Sequence, residues 1–204
     1  MYWDNVAGVY DLFERIYNKE CFDGVGERVA REIAPEDDVL ECACGTGSIS
    51  VQVAPVCRRL TVTDFSKGML RQAEKNLSGF DNVRIRRADI TSLKCPDGSF
   101  DKVIAGNVIH LLDDPRKAIG ELLRVCKPGG RVIIPTYINK EKCGKTSLLI
   151  KLIGFAGANF TRQFSAESYC DFFTACGYEP EFDLVDGRMP CAIAVITKGQ
   201  EVIA

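Results

Sequence analysis

The sequence predicts a doubly wound α/β fold in which seven strands form a mostly parallel sheet with helices on both faces. Three observations predict it. Short β-branched runs alternate with longer segments of helical period, the pattern of successive βαβ units. Seven such runs read as strands. The first strand enters a glycine-rich turn that leads into a helix, the usual ligand-facing corner of a doubly wound sheet. With 204 residues, and roughly 100–200 residues per domain, we expect residues 1–204 to form a single domain.

The elements follow in order. Phe22, Val25, Val29 and Ile33 give an apolar stripe to a helix ahead of the first strand, Asp38–Cys42. The next strand is expected over 60–63. Ser66 then caps a helix whose Met69, Leu70, Ala73 and Leu77 fall on one side. Val83–Arg87 and 102–105 are the third and fourth strands, and a short helix is expected over 108–112. Asp114 as cap and Pro115 at the first helical position open a helix that buries Ala118, Ile119, Leu122, Leu123 and Cys126. That helix is expected to stop at Lys127-Pro128-Gly129-Gly130. Strand 131–135, a helix over 165–176 closed by Gly177, and strands 181–183 and 192–197 complete the set.

Composition narrows the function classes. A chain that is 46% hydrophobic and 26% charged is of ordinary globular type, neither disordered nor fibrous. Its net charge of −2 argues against a nucleic-acid binder, whose phosphate contacts demand a basic surface. Ten cysteines in 204 residues fall below the roughly 8–10% of a disulfide scaffold, so they read as thiols. The opening MYWDNVAGVYDLFERIY lacks the basic start and apolar run of an export signal, which makes a cytoplasmic setting the expectation. The most apolar stretch, 148–160, is interrupted by Lys151 and two glycines. It is shorter than the ~18 residues of a membrane span.

The run VLECACGTGS, 39–48, carries the chemistry. Glycines there let the backbone pass close to a ligand, which should lie across Gly45 and Gly47. A dinucleotide loop needs a third glycine where this chain has Ser50, and no lysine follows Gly47 as a phosphate-binding loop requires. Instead an acid stands at or near the end of each of the first three strands: Glu41, Asp64 and Asp89. Ligands of open α/β sheets sit outside the carboxyl ends of the strands, so the three should converge on one crevice. A cation bearing hydroxyls suits them, and S-adenosylmethionine is such a ligand: sulfonium, ammonium and ribose diol, without phosphate. Taken singly, Asp64 and Asp89 also read as turn caps.

The segments ECACGTG (41–47), VTDFSKGML (62–70), RADITSLKCPDGSFDKVIAGNVIHLLDDP (87–115) and ELLRVCKPGGRVII (121–134) together resemble class I S-adenosylmethionine-dependent methyltransferases. Within them the likeness is to the ubiquinone/menaquinone C-methyltransferase (methyltransferase type 11) branch. The resemblance covers about 39–136. It implies a Rossmann-like methyltransferase fold, strand order 3-2-1-4-5-7-6 with the seventh strand antiparallel, and methyl transfer to a small-molecule acceptor with S-adenosylhomocysteine as product. It also implies roles: Glu41 and the loop Ala43, Cys44, Gly45 and Gly47 at the methionine end; Asp64, with Phe65 and Met69 nearby, at the ribose; Asp89 and Ile90 at the adenine; Asn107 under the sulfonium. Ala43 departs from the glycine usual in the wider superfamily. Tyr10 resembles an aromatic residue that folds over the donor from amino-terminal helices, and equally reads as an ordinary helix anchor. Residues 1–35 would then be amino-terminal helices acting as a lid, and 137–178 an acceptor-side cap.

His110, the only histidine, is a candidate base beside the crevice, although a lone histidine reads more plainly as a packed one. Tyr137 is placed to line an acceptor pocket or simply to pack. The run TSLLIKLIGFAGANF, 146–160, fits an apolar or aromatic acceptor, and core packing is the plainer account. Arg84, Arg86 and Arg87 read as guards of a sheet edge rather than an RNA face, and GNVIH replaces the motif of nucleobase-amine methylation, so no nucleic-acid partner is expected. Cys42 and Cys44 lack the paired spacing of a zinc site, and no metal is expected. Three alternatives stay open: a non-catalytic S-adenosylmethionine-binding protein, an arsenite or thiol methyltransferase, and a nicotinamide-dependent oxidoreductase.

Overall fold

In the computed structural model, residues 19–139 and 162–199 are described. Tyr10, most of the expected 1–35 lid and the 146–160 run lie outside them. A helix, α1 (Lys19–Ala30), precedes β1 (Asp38–Cys42), the short α2 (Ser50–Val53) and β2 (Arg59–Asp64). Next come α3 (Lys67–Asn76), β3 (Val83–Arg87), β4 (Phe100–Ala105), α4 (Pro115–Val125) and β5 (Cys126–Tyr137). The chain closes with α5 (Ala166–Ala175), β6 (Glu181–Val185) and β7 (Cys191–Thr197).

The strands form one sheet in the order β3-β2-β1-β4-β5-β7-β6. Pairings from β3 through β5 are parallel, and β7 runs antiparallel to both β5 and β6. Strand alternation divides the core between two faces. Leu40, Cys42, Val103 and Ala105 point to the face covered by Ala118, Ile119 and Leu122 of α4 and by Tyr169 and Phe173 of α5. Val39, Leu60, Val62 and Ile104 point to the other, against Val25 and Val29 of α1 and Leu70 and Ala73 of α3. Each fully buried leucine or isoleucine contributes about 1.5–3 kcal/mol, which holds the helices to the sheet.

The helix starts follow the sequence signals. The Ser66 hydroxyl accepts from Met69 N at 3.2 Å, and the Asp114 carboxylate accepts from Lys117 N at 3.0 Å. Ser165 and Ser168 form a reciprocal capping box at α5. One expectation is corrected here. The helix expected to run to Lys127 ends at Val125, and β5 begins at Cys126, five residues before the expected start. Phe100 pairs with Cys126 across a register shift, so tertiary pairing claims residues that a lysine-proline-glycine string marks as a turn. The short helix expected over 108–112 is a single 3₁₀ turn, Ile109–Leu111. β3 is an edge strand of the sheet, as β6 is at the other end, and Arg84, Arg86 and Arg87 on β3 are exposed. Among the described residues, no helix is long and apolar enough to cross a membrane.

Candidate functional site

The chain leaves β1 toward one neighbour and β4 toward the other, so the loops after these two strands part and open a crevice at the carboxyl ends. The turn after β1 requires left-handed backbone at alternate residues: Ala43 (φ 52°), Gly45 (φ 57°) and Gly47 (φ 87°). Glycine takes that conformation freely, whereas Ala43 takes it against its β-carbon. The loop is tied to β2 in two places. Cys44 N donates to Thr63 O at 3.0 Å, and Gly45 N donates to Asp64 Oδ2 at 2.9 Å. The other Asp64 oxygen accepts from Ser66 N at 2.8 Å. Asp64 therefore does what a turn-capping aspartate does, while its side chain still lines the crevice.

Glu41 lies at the bottom, 2% exposed, its Oε2 accepting from the Ser50 hydroxyl at 2.6 Å. Burial pushes its carboxyl up to about 8; the Ser50 bond works against this and the neighbouring Asp64 charge adds to it. Among the described residues Glu41 makes no ion pair, so the floor of the crevice holds a buried acid lacking a cation. Asp89 is exposed at the rim, its Oδ1 accepting from both the amide and the hydroxyl of Thr91 at 2.8 Å. Asn107, again left-handed (φ 52°), bridges β4 to β5: its N donates to Pro135 O at 2.8 Å and its Oδ1 accepts from Tyr137 N at 2.9 Å.

These residues share one cavity of about 460 Å³, within the usual range for small-molecule sites. The structure brings to it Glu41, Ala43, Cys44, Gly45, Asp64, Phe65, Met69, Asp89, Ile90, Asn107, His110 and Tyr137. Gly47 is not on its wall. Its amide donates to Cys44 O at 2.9 Å, and a β-carbon there would meet Leu77, the residue that ends α3, at 3.2 Å, so it shapes the turn and its packing. Tyr10 lies outside the described residues.

His110 is 7% exposed, and burial lowers its pKa to about 4. Such an imidazole is neutral at pH 7 and takes up a proton poorly, which weakens the case for it as a general base. Burial likewise pushes the Cys42 thiol up to about 12 and raises that of Cys44, so neither is a thiolate at neutral pH. Among the described residues no cluster of three or more histidines, cysteines or acids could hold a metal ion. Sequence reasoning expected 137–178 on the acceptor side but named none of the far-wall residues Asn139, Arg162, Gln163, Phe164 and Met189, the last of which lies outside that range. Their only signal was an arginine closing an apolar run.

An acid floor without a cation, further carboxylates above it and open space at the Gly45 α-carbon fit a positively charged ligand better than a phosphorylated one. The comparisons with known proteins agree. Residues 40–134 match the methyltransferase domain family. A demethylmenaquinone methyltransferase of Clavibacter sepedonicus is 36% identical over 135 residues, 65% of this chain and 55% of that protein. A ubiquinone/menaquinone biosynthesis C-methyltransferase of Desulfotalea psychrophila is 32% identical over 139 residues, 64% of this chain and 54% of that one. The chain spans about half the length of these curated relatives. The crystal structure of an S-adenosylmethionine-dependent methyltransferase from Aquifex aeolicus matches with a TM-score of 0.71 at 18% identity, over 96% of this chain and 98% of the other, a likeness of fold.

Proposed function

Because residues 40–134 match the methyltransferase domain family, we propose that this protein is a methyltransferase that binds S-adenosylmethionine in the crevice and methylates a small molecule of quinol type. The observation that carries this reading is the convergence of Glu41, Asp64 and Asp89, from three adjacent strands, on one cavity with a glycine corner. The quinol-type acceptor is supported by the activities named for the two curated relatives and by the apolar wall of Val108, Leu111, Ile138 and Phe164.

In this reading Glu41 and the Ala43–Gly47 turn hold the amino-acid end, with Glu41 giving up its proton to face the ammonium. Asp64 accepts from the ribose hydroxyls through lone pairs left over from its two backbone bonds, beside Phe65 and Met69. Asp89 and the Ile90 backbone take the adenine, Asn107 stands near the sulfonium, and Tyr10 belongs to the 1–35 segment proposed as a lid. Bound there, S-adenosylmethionine supplies a methyl on sulfur whose bonding pair stays with sulfur as the acceptor's nucleophile attacks. The protein's contribution is positioning, since holding the reacting atoms about 3–3.5 Å apart supplies much of the acceleration. Tyr137 and His110 line the acceptor side, within the 137–178 cap. Cys42, Cys44, Cys57 and Cys126 are buried free thiols, which supports a reducing, cytoplasmic setting.

The test is turnover with reduced quinol, phenol, amine and thiol acceptors, scored as S-adenosylhomocysteine formed. Product with the quinol is expected. Silence across the panel, with donor binding intact, would make the protein a donor-binding protein and not an enzyme.

A further inference from the structure

Charge is divided across the crevice. Its three carboxylates stand on the β1–β3 side, and among the described residues lining it Arg162 is the one lysine or arginine, on the opposite wall. Arg162 is the first described residue ahead of α5, and several bonds fix it there. Its amide donates to His110 O at 3.2 Å, in the turn after β4. Its guanidinium donates to Leu112 O at 2.6 Å and, at 3.5 Å, to Asp113 O. The next residues are anchored in turn, Asn139 Nδ2 to Gln163 Oε1 at 3.2 Å and Asn139 N to Phe164 O at 2.8 Å. Phe164 is buried against Tyr169 and Phe172.

The guanidinium partners are carbonyls, which orient the group without cancelling its charge. A guanidinium carries five N–H donors, so three remain after these two bonds. Among the described residues no carboxylate forms an ion pair with it. The surrounding wall is apolar, built by Val108, Leu111, Leu112 and Met189, and a half-buried positive charge beside such a wall is screened less than one in bulk water. His110 is buried and neutral, and supplies no competing cation.

From this geometry we infer that Arg162 anchors the acceptor by an anionic oxygen, selecting a ring hydroxyl that ionises on binding. The inference rests on the methyltransferase reading and names the residue that sets its acceptor specificity. The hydroxyl proton leaves to solvent as Arg162 stabilises the oxyanion. The oxyanion's electron pair then forms the bond to the methyl carbon, either through oxygen or through the adjacent ring carbon, while the carbon–sulfur pair goes to sulfur. Where carbon attacks, its hydrogen leaves as a proton and the oxyanion is restored.

The experiment needs no turnover. 4-Nitrophenol, whose phenolate is coloured and which titrates near neutral pH, is bound to the full chain saturated with S-adenosylhomocysteine, and its ionisation is followed by absorbance. In the wild type the bound probe's pKa should fall by about one pH unit, the size expected beside an opposite charge. Arg162→Gln should abolish that fall and weaken the phenolate about ten-fold, leaving S-adenosylmethionine affinity as in the wild type. Arg162→Lys, which keeps the charge and serves as the folding control, should retain part of it. An unshifted probe, a probe that does not bind the wild type, or an Arg162→Gln variant that holds the phenolate like the wild type overturns the inference. S-adenosylmethionine titrated into the same proteins before S-adenosylhomocysteine is added separates the two failures: absence of donor binding by the wild type sinks the methyltransferase reading, whereas donor binding with an unshifted probe sinks the Arg162 assignment alone.

Discussion

Glu41, Asp64 and Asp89 reach the donor side of the crevice from three strands that pair side by side, and the turn beneath them is tied down by backbone amides. The opposite side is gathered from Asn107, Tyr137, Asn139, Arg162 and Met189, which come from distant parts of the chain. The buried titratable groups differ in the same way. On the donor side burial holds a carboxyl up to about 8; on the other, burial holds an imidazole down to about 4. A fold can thus supply one half of a site through its own strand ends and leave the other to whatever the loops deliver, which is why a shared fold does not fix a substrate.

The largest effect expected on that contrast comes from Asp64→Ala. It strips the acceptors of Gly45 N and Ser66 N and removes a ribose partner. Donor affinity should fall by about 1–3 kcal/mol, roughly five-fold to 150-fold, measured by calorimetry. Phenol binding on the Arg162 side should be unchanged; equal damage on both sides would erase the distinction between the halves.

The second prediction is a pH dependence, and its sign follows from the two buried groups. The folded Glu41 carboxyl keeps its proton to about pH 8, while the unfolded chain releases its own near 4.5. The stabilisation is therefore full below 4.5 and is lost as pH rises toward 8. His110 runs the other way: its pKa is lowered from 6.5 to about 4, so stability is present above 6.5 and is lost as pH falls toward 4. The ligand-free melting temperature should drop by about 5 °C across the alkaline limb, 1 kcal/mol being worth about 2–4 °C in a chain of this size. Glu41→Gln should flatten that limb and steepen the acid one, because the opposed slopes of the two groups overlap between 4.5 and 6.5, and saturating S-adenosylmethionine should flatten the alkaline limb in the wild type. Melting curves from pH 4 to pH 8.5 in which Glu41→Gln changes neither limb would remove the carboxyl from this role.

Ala43→Gly is expected to have the smallest effect. It relieves left-handed strain of about 1–2 kcal/mol but loosens the unfolded chain by about 0.4–1 kcal/mol, so the net gain should lie between zero and about 1.6 kcal/mol in chemical denaturation. A clear loss of stability would mean that the turn is not strained at Ala43.

How much of this was legible in the sequence follows from the same contrast. β1 and β3 fall on the expected residues because each is a short β-branched run bounded by turn residues, and the donor-side acids were found because a strand end and its side chain are neighbours in sequence. β5 was misjudged at its start because its first residues pair with β4, a partnership no local pattern announces. The two backbone bonds of Asp64 were readable only as the alternative of a turn cap, since its bond to Gly45 spans two strands. Arg162, Asn139 and Met189 were not singled out for a related reason: they stand far apart in sequence and meet through bonds such as Arg162 N to His110 O and Asn139 N to Phe164 O, which no local pattern announces.

The measurement closest to the heart of the account is a pair of calorimetric titrations of the wild-type chain, one with S-adenosylmethionine and one with NADH. Saturable binding of the sulfonium donor, with no heat from the dinucleotide, is what a cation-seeking acid floor predicts. Binding of NADH with none of S-adenosylmethionine would contradict it.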